Sequence, residues 1–157
     1  MPGAGKSTVG IILAKNCGFG FIDTDVLIQI NRQRTLQQIL DENDHLVLRS
    51  IEEEEILKLN VENHVIATGG SAVYSKKAME HLLSISTVIF IEISIDQVQK
   101  RVQNFATRGI AKAKDQSLED LFQERQQLYK RYAQVTVDGN AAPQELLAVQ
   151  IASRIGF

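Results

Sequence analysis

Apolar positions along this chain alternate between two periods. From Lys6 to about Asn16, Val9, Ile12 and Leu13 recur at three- and four-residue spacing, predicting a helix that Cys17-Gly18 closes. Phe19 to Thr24 is a short apolar run, read as a buried strand running into a loop at Asp23-Thr24-Asp25. Thr35 to Asp41 carries Leu36, Ile39 and Leu40 on one side of a short helix, and a longer helix covers roughly His45 to Asn60. Val65 to Thr68 predicts a strand, followed by the turn Gly69-Gly70-Ser71. Lys76 to Leu83 is helical, and Thr87 to Ile93 is the most strand-like run. Asp96 is expected to cap a helix through about Val102. Ser117-Leu118-Glu119-Asp120 has the capping-box pattern and opens a helix to about Tyr132. Val135 to Val137 is a short strand, and Pro143 begins a last helix to Ile155.

Strands alternating with helices predict a parallel sheet flanked by helices: an α/β three-layer sandwich in one domain, 1–157. In such folds ligands bind beyond the carboxyl ends of the strands. The chemically interesting residues of this chain follow those ends. Between the helices lies a segment, Gln103 to Gln116, with no periodicity and with Arg108, Gly109, Lys112 and Lys114 in it. A loop of that length in a small domain points to a functional segment.

Composition narrows the class without naming a function. A hydrophobic content of 44% suffices for one core. The net charge of -2 makes no case for a nucleic-acid or membrane partner. A lone Cys17 rules out an internal disulfide and points to a reducing, cytoplasmic setting. No apolar run approaches the ~20 residues of a membrane span. The first residues lack the basic-then-apolar pattern of a secretory signal. The expectation is a cytoplasmic monomer.

The most specific chemistry stands at the start. Gly3-Ala4-Gly5-Lys6-Ser7-Thr8 reads as most of a P-loop, G-x-x-x-x-G-K-[ST]. Glycines there let successive backbone N–H groups face a phosphate, and the helix that follows adds the positive end of its dipole. Lys6 would reach the β- and γ-phosphates and the Ser7 hydroxyl a Mg²⁺ ion. Gly5 alone fits a capping turn; Gly5-Lys6-Ser7-Thr8 opening an apolar helix points to a phosphate site.

Asp23 and Asp25 follow a strand and share a side if the extended conformation persists. They serve either as strand-exit and helix-cap residues or, beside a P-loop, as a metal-water ligand and a base. Arg49 and Glu52, three apart on a helix, can pair as a structural ion pair or as a substrate-orienting one. Glu52 lies on the apolar stripe of Leu48, Ile56 and Leu59, so it is expected to turn inward more than its acidic neighbours. Arg125 falls in the apolar face of Leu121, Phe122, Leu128 and Tyr129. Its head either snorkels outward or is held at a pocket floor to grip a carboxylate in two places. Gly69-Gly70 is a plain turn or a place where a ligand approaches backbone N–H groups. Arg108 is surface charge or a cation that swings over the γ-phosphate as the loop closes. His45, His64 and His81 fit no metal spacing.

Together these residues resemble the shikimate kinase family of P-loop small-molecule kinases. The match runs nearly end to end: the Gly3–Thr8 loop, Asp23-Thr24-Asp25, Leu48-Arg49-x-x-Glu52, Ala67-Thr68-Gly69-Gly70, and Glu124-Arg125-x-x-Leu128-Tyr129. The resemblance implies a five-stranded parallel sheet of order 2-3-1-4-5 with a lid at about 103–116. It implies ATP and Mg²⁺ as cofactors, with the Gly3–Thr8 loop on the phosphates, Ser7 and Asp23 serving the metal, Arg101 the adenine and Arg108 the transferring group. Asp25, Arg49, Gly70 and Arg125 would hold shikimate, with Gly69 and Ser71 beside them and Asp25 on the attacking 3-hydroxyl. Three features depart from the family pattern. Ser71 stands where the family has a third glycine, and Arg108-Gly109-Ile110 replaces its Arg-Pro-Leu. The first P-loop glycine and the central strand that precedes it would lie before Met1, so the sequence is expected to begin at an internal methionine. The leading expectation is phosphorylation of shikimate. A related kinase for another hydroxy acid or polyol is the second, and a catalytically impaired nucleotide-binding protein the third.

Overall fold

In a computed structural model, residues 1–101, 109–113 and 115–157 are described; Arg108 and Lys114 lie outside them. Four strands and eight helices occur among the described residues. In chain order these are α1 (Lys6–Cys17), β1 (Gly20–Asp23), α2 (Thr24–Arg32), α3 (Leu36–Glu42), α4 (His45–Leu57) and β2 (His64–Ala67). There follow a 3₁₀ turn (Ala72–Tyr74), α5 (Lys76–Ile85), β3 (Ile89–Glu92), α6 (Ile95–Arg101), α7 (Leu118–Tyr132), β4 (Val135–Asp138) and α8 (Gln144–Arg154).

The largest departure from the sequence reading is α2. Asp23 does not lead into a loop: its side chain accepts from the backbone N–H groups of Asp25 and Val26, so a helix starts at once. The extended geometry that would align Asp23 with Asp25 therefore ends at Asp23. A second correction concerns α6. Its start is held by Ser94, whose hydroxyl accepts from Gln97 N–H at 3.3 Å, and Asp96 lies inside the first turn. Ser117 caps α7 as expected, and Thr35 caps α3 with a capping box to Gln38 that the sequence reading did not assign.

The strands form two parallel pairs, β1 with β2 and β3 with β4, in registers Phe21–Val65 and Phe90–Thr136. These pairs are strands 2-3 and 4-5 of the expected order, flanking the position of the central strand. Both pairs are walled by helices. Val9 and Leu13 of α1 and Leu147, Ala148 and Ile151 of α8 pack with Ile91 and Val137 in the main core. On the other side Ile56 of α4, Ala72, and Ala78, Met79 and Leu82 of α5 form a second cluster. Between β2 and β3 runs a channel of about 550 Å³, lined by Val65, Ile66, Phe90, Ile91, Leu13 and Met79. The third cluster, Ile28, Ile39, Leu48 and Ala111, lies under α2, α3 and α4 and bounds the cleft described next. No helix among the described residues is long and apolar enough to cross a membrane.

Candidate active site

The carboxyl ends of β1 and β2 and the amino end of α1 face one cleft of about 170 Å³. Gly5 caps α1 in a left-handed conformation at φ 85°, ψ 13°, and, having no side chain to accept from them, leaves the first-turn N–H groups without a side-chain partner. Gly3 is also left-handed, at φ 75°. The Gly3–Gly5 turn thus supplies the concave backbone that an anion needs. The Lys6 ammonium donates to the Met1 carbonyl at 3.0 Å, which lays it across the turn. Ala4 is buried, and Thr8 lines the cleft.

Ser7 Oγ donates to Asp23 Oδ2 at 2.5 Å. Asp23 Oδ1 is occupied by the α2 cap. One hydroxyl and one carboxylate oxygen thus converge at the loop, a donor set that suits Mg²⁺, which keeps most of its waters and takes one or two protein oxygens.

Asp25, in the first turn of α2, reaches the cleft from the opposite wall. The Thr24 hydroxyl fixes that turn by accepting from Gly69 N–H at 3.0 Å in a buried contact. Gly69 is pinched: a Cβ there would collide with Glu52 Oε1 and sit 2.6 Å from Asp25 Oδ1, so the two carboxylates flank its Cα. At Gly70 a Cβ would come within 2.8 Å of Arg125 Nη1. A side chain at either position would displace the carboxylates or the guanidinium from these places.

Glu52 is 2% exposed, as its place on the apolar stripe predicts. Its partner is not Arg49. Glu52 Oε2 accepts from Ser71 Oγ at 2.5 Å, while Oε1 has no hydrogen bond. Burial raises its pKa to about 7; the Ser71 hydrogen bond pulls it down and the Asp25 charge pushes it up. Glu55, one of the acidic neighbours expected to turn inward less, is as deeply buried, held by Lys58 and Asn31 at 2.9 and 2.7 Å.

Arg125 is 1% exposed and lines the cleft, so its head does not snorkel. Its Nη2 donates to the Ala111 carbonyl at 2.7 Å, and Gly109 N–H donates to Gln37 Oε1 at 3.0 Å. This draws Gly109, Ile110 and Ala111 over the cleft. Arg49 stands apart from the cleft lining. Its guanidinium lies 3.6 Å above the Tyr74 ring centre, and its buried Nε has no partner. Burial lowers its pKa, and the Arg125 charge adds to that. Arg101 sits at the outer rim, donating to the carbonyls of Gly139 and Gly3 at 3.1 and 3.5 Å. Arg108, the expected phosphoryl-group cation, lies outside the described residues.

The structure thus brings together the loop, Asp23, Asp25, Gly69, Gly70, Ser71, Glu52 and Arg125, with Arg101 at the edge and Arg49 held one ring away. Sequence reasoning missed Thr24, Tyr74 and the hydroxyl of Tyr129, which donates to Gly70 carbonyl at 2.8 Å. Their position beside the motifs was the available signal.

The shikimate kinase family model matches residues 2–156. Shikimate kinase of Mycobacterium avium is 34% identical over 99% of this chain and 89% of its own length. Among solved structures, shikimate kinase from Acinetobacter baumannii in complex with shikimate superposes with a TM-score of 0.90 at 28% identity. It covers 98% of this chain and 87% of that one. The crystal structure of shikimate kinase from Aquifex aeolicus gives 0.85 at 28% identity, over 99% and 92%.

Proposed function

The chain belongs to the shikimate kinase family, and on that premise we propose that it transfers the γ-phosphoryl group of ATP to the 3-hydroxyl of shikimate. The observation that carries this reading is the single cleft in which a phosphate-binding turn faces Asp25 and Arg125. A nucleotide is the family's phosphoryl donor. The Gly3–Gly5 turn, the first-turn N–H groups of α1 and Lys6 hold its phosphates, and Arg101 borders its base. Ser7 and Asp23 would hold Mg²⁺, which when bound offsets charge on the β- and γ-phosphate oxygens.

Catalysis of this kind is positioning and charge stabilisation rather than covalent chemistry. Arg125, buried and aimed into the cleft, grips the acid's carboxylate, with Arg49 as the second arm of the clamp. Asp25 accepts the proton of the attacking hydroxyl as its oxygen bonds to the γ-phosphorus and the bond to ADP breaks. The bond from Gly69 N–H to the Thr24 hydroxyl holds the first turn of α2, and with it Asp25, and Lys6 with Arg108 stabilises the transferring group. The segment at about 103–116 acts as the lid, the whole being one domain of a cytoplasmic monomer.

Ser71 favours a second reading. A hydroxyl at the cleft wall, held by Glu52, suits a different polyol or hydroxy acid from the one a glycine would admit. A coupled ADP-release assay separates them. Turnover is expected with shikimate, falling about 10²- to 10⁴-fold in Asp25→Asn, the usual contribution of a positioned base. Turnover on gluconate or a nucleoside monophosphate, with none on shikimate, would overturn the substrate.

A further inference from the structure

An arginine that clamps a carboxylate has to be held still, and the residue expected to hold Arg49 does not do so. Glu52, one helical turn away on α4, is taken by Ser71 at 2.5 Å. What Arg49 meets instead is the face of Tyr74, at 3.6 Å. The same ring lies 5.4 Å from the Arg125 guanidinium carbon, and the Tyr74 hydroxyl accepts from Arg125 Nε at 3.4 Å. Two guanidiniums that repel each other are therefore gathered on one aromatic side chain. Tyr74 ends the 3₁₀ turn that begins directly after Gly69-Gly70-Ser71, so its placement is tied to the cleft wall.

The choice of partner matters chemically. A carboxylate holding Arg49 would occupy the in-plane N–H donors that a bound acid needs and would repel the acid's own charge. An aromatic face attracts the cation from above through its quadrupole and leaves the edge of the planar fork uncommitted. Arg49 Nε is buried and without a partner. No protein acceptor therefore uses that donor.

We propose that Tyr74 is the positioning residue of the carboxylate clamp, its ring orienting Arg49 so that the guanidinium edge meets the acid's carboxylate beside Arg125. The proposal rests on the reading of this site as a kinase for a hydroxy acid, and its test has one arm that does not. In steady-state assays Tyr74→Leu raises the KM for shikimate about tenfold, the loss of one partly buried cation–π contact. The KM for ATP and kcat stay within about twofold, and Tyr74→Phe, which keeps the ring, restores the shikimate KM. In NMR spectra without substrate, the Arg49 Nε–H resonance is shifted upfield by the ring in the wild type and in Tyr74→Phe, and returns toward the ordinary position in Tyr74→Leu. An unchanged shikimate KM in Tyr74→Leu overturns the proposal, as does an equal rise in the ATP KM or a Phe variant as impaired as the Leu one. Should the wild type not turn over shikimate, the functional reading fails and the Arg49 resonance decides: indifference to Tyr74→Leu overturns the positioning role, and loss of the upfield shift sustains it.

Discussion

At the scale of single residues, the site is set by who captures Glu52. The group is fully buried, and its pKa of about 7 stands above the ordinary 4.5 because burial disfavours the carboxylate and Asp25 adds repulsion. A raised pKa means that the folded state holds the proton more tightly. The stabilisation is whole below about pH 4.5 and is lost as pH rises through about 7. Against a Glu52→Gln variant, the wild type should lose about 3 kcal/mol of relative stability across that window, from a shift of that size. Urea unfolding at half-unit pH steps measures it; parallel curves for the two proteins would sink the idea. Ser71 donates to the charged form, so Ser71→Ala should move the midpoint above 7. The inward turn of Glu52 was legible from the apolar stripe through Leu48 and Ile56. Its partner was not, because the choice between Arg49 and Ser71 depends on where Tyr74 falls at the end of a 3₁₀ turn that leaves no periodicity in so short a stretch.

At the scale of elements, the end of β1 does two jobs with one side chain. Asp23 caps α2 through Oδ1 and meets Ser7 through Oδ2. These separate cleanly by substitution. Asp23→Ala removes the cap and should lower stability by about 1 kcal/mol, whereas Asp23→Asn, an equally good N-cap, should keep it to within a few tenths. Both should raise the Mg²⁺ concentration needed for half-maximal turnover, since both remove the anionic oxygen. Thermal melts alongside a Mg²⁺ titration check this; equal melting temperatures for the Ala and Asn variants would deny the capping role. The strand–helix order, the P-loop and the inward faces of α4 and α7 were legible because each carries a period or a fixed motif. The helix α2 was not, because Asp23-Thr24-Asp25 serves equally as a strand exit and a helix start, and the tertiary bond from Gly69 N–H to Thr24 that favours the second comes from 45 residues away.

At the scale of the molecule, the described strands form two separate two-stranded sheets that share helices. Each strand of a parallel pair uses one edge for its partner and turns the other outward. Among the described residues no strand pairs with those outward edges of β2 and β3, which border the 550 Å³ channel. The walls are apolar, contributed by α1, α5 and α8, so the halves are joined through side-chain packing and not through a continuous ladder. Backbone amides without a ladder partner open at low free-energy cost, and local stability tracks such pairing. Native-state hydrogen exchange should therefore divide the amides of β2 and β3 into two sets. Those bonded within β1–β2 and β3–β4 should exchange slowly, near the rate of global unfolding. Those directed into the channel should exchange at least about a hundredfold faster, the ratio that a difference of about 3 kcal/mol in opening free energy gives. Uniform protection across both strands would mean that the channel edges are paired in solution, and that the sheet is continuous from β1 to β4.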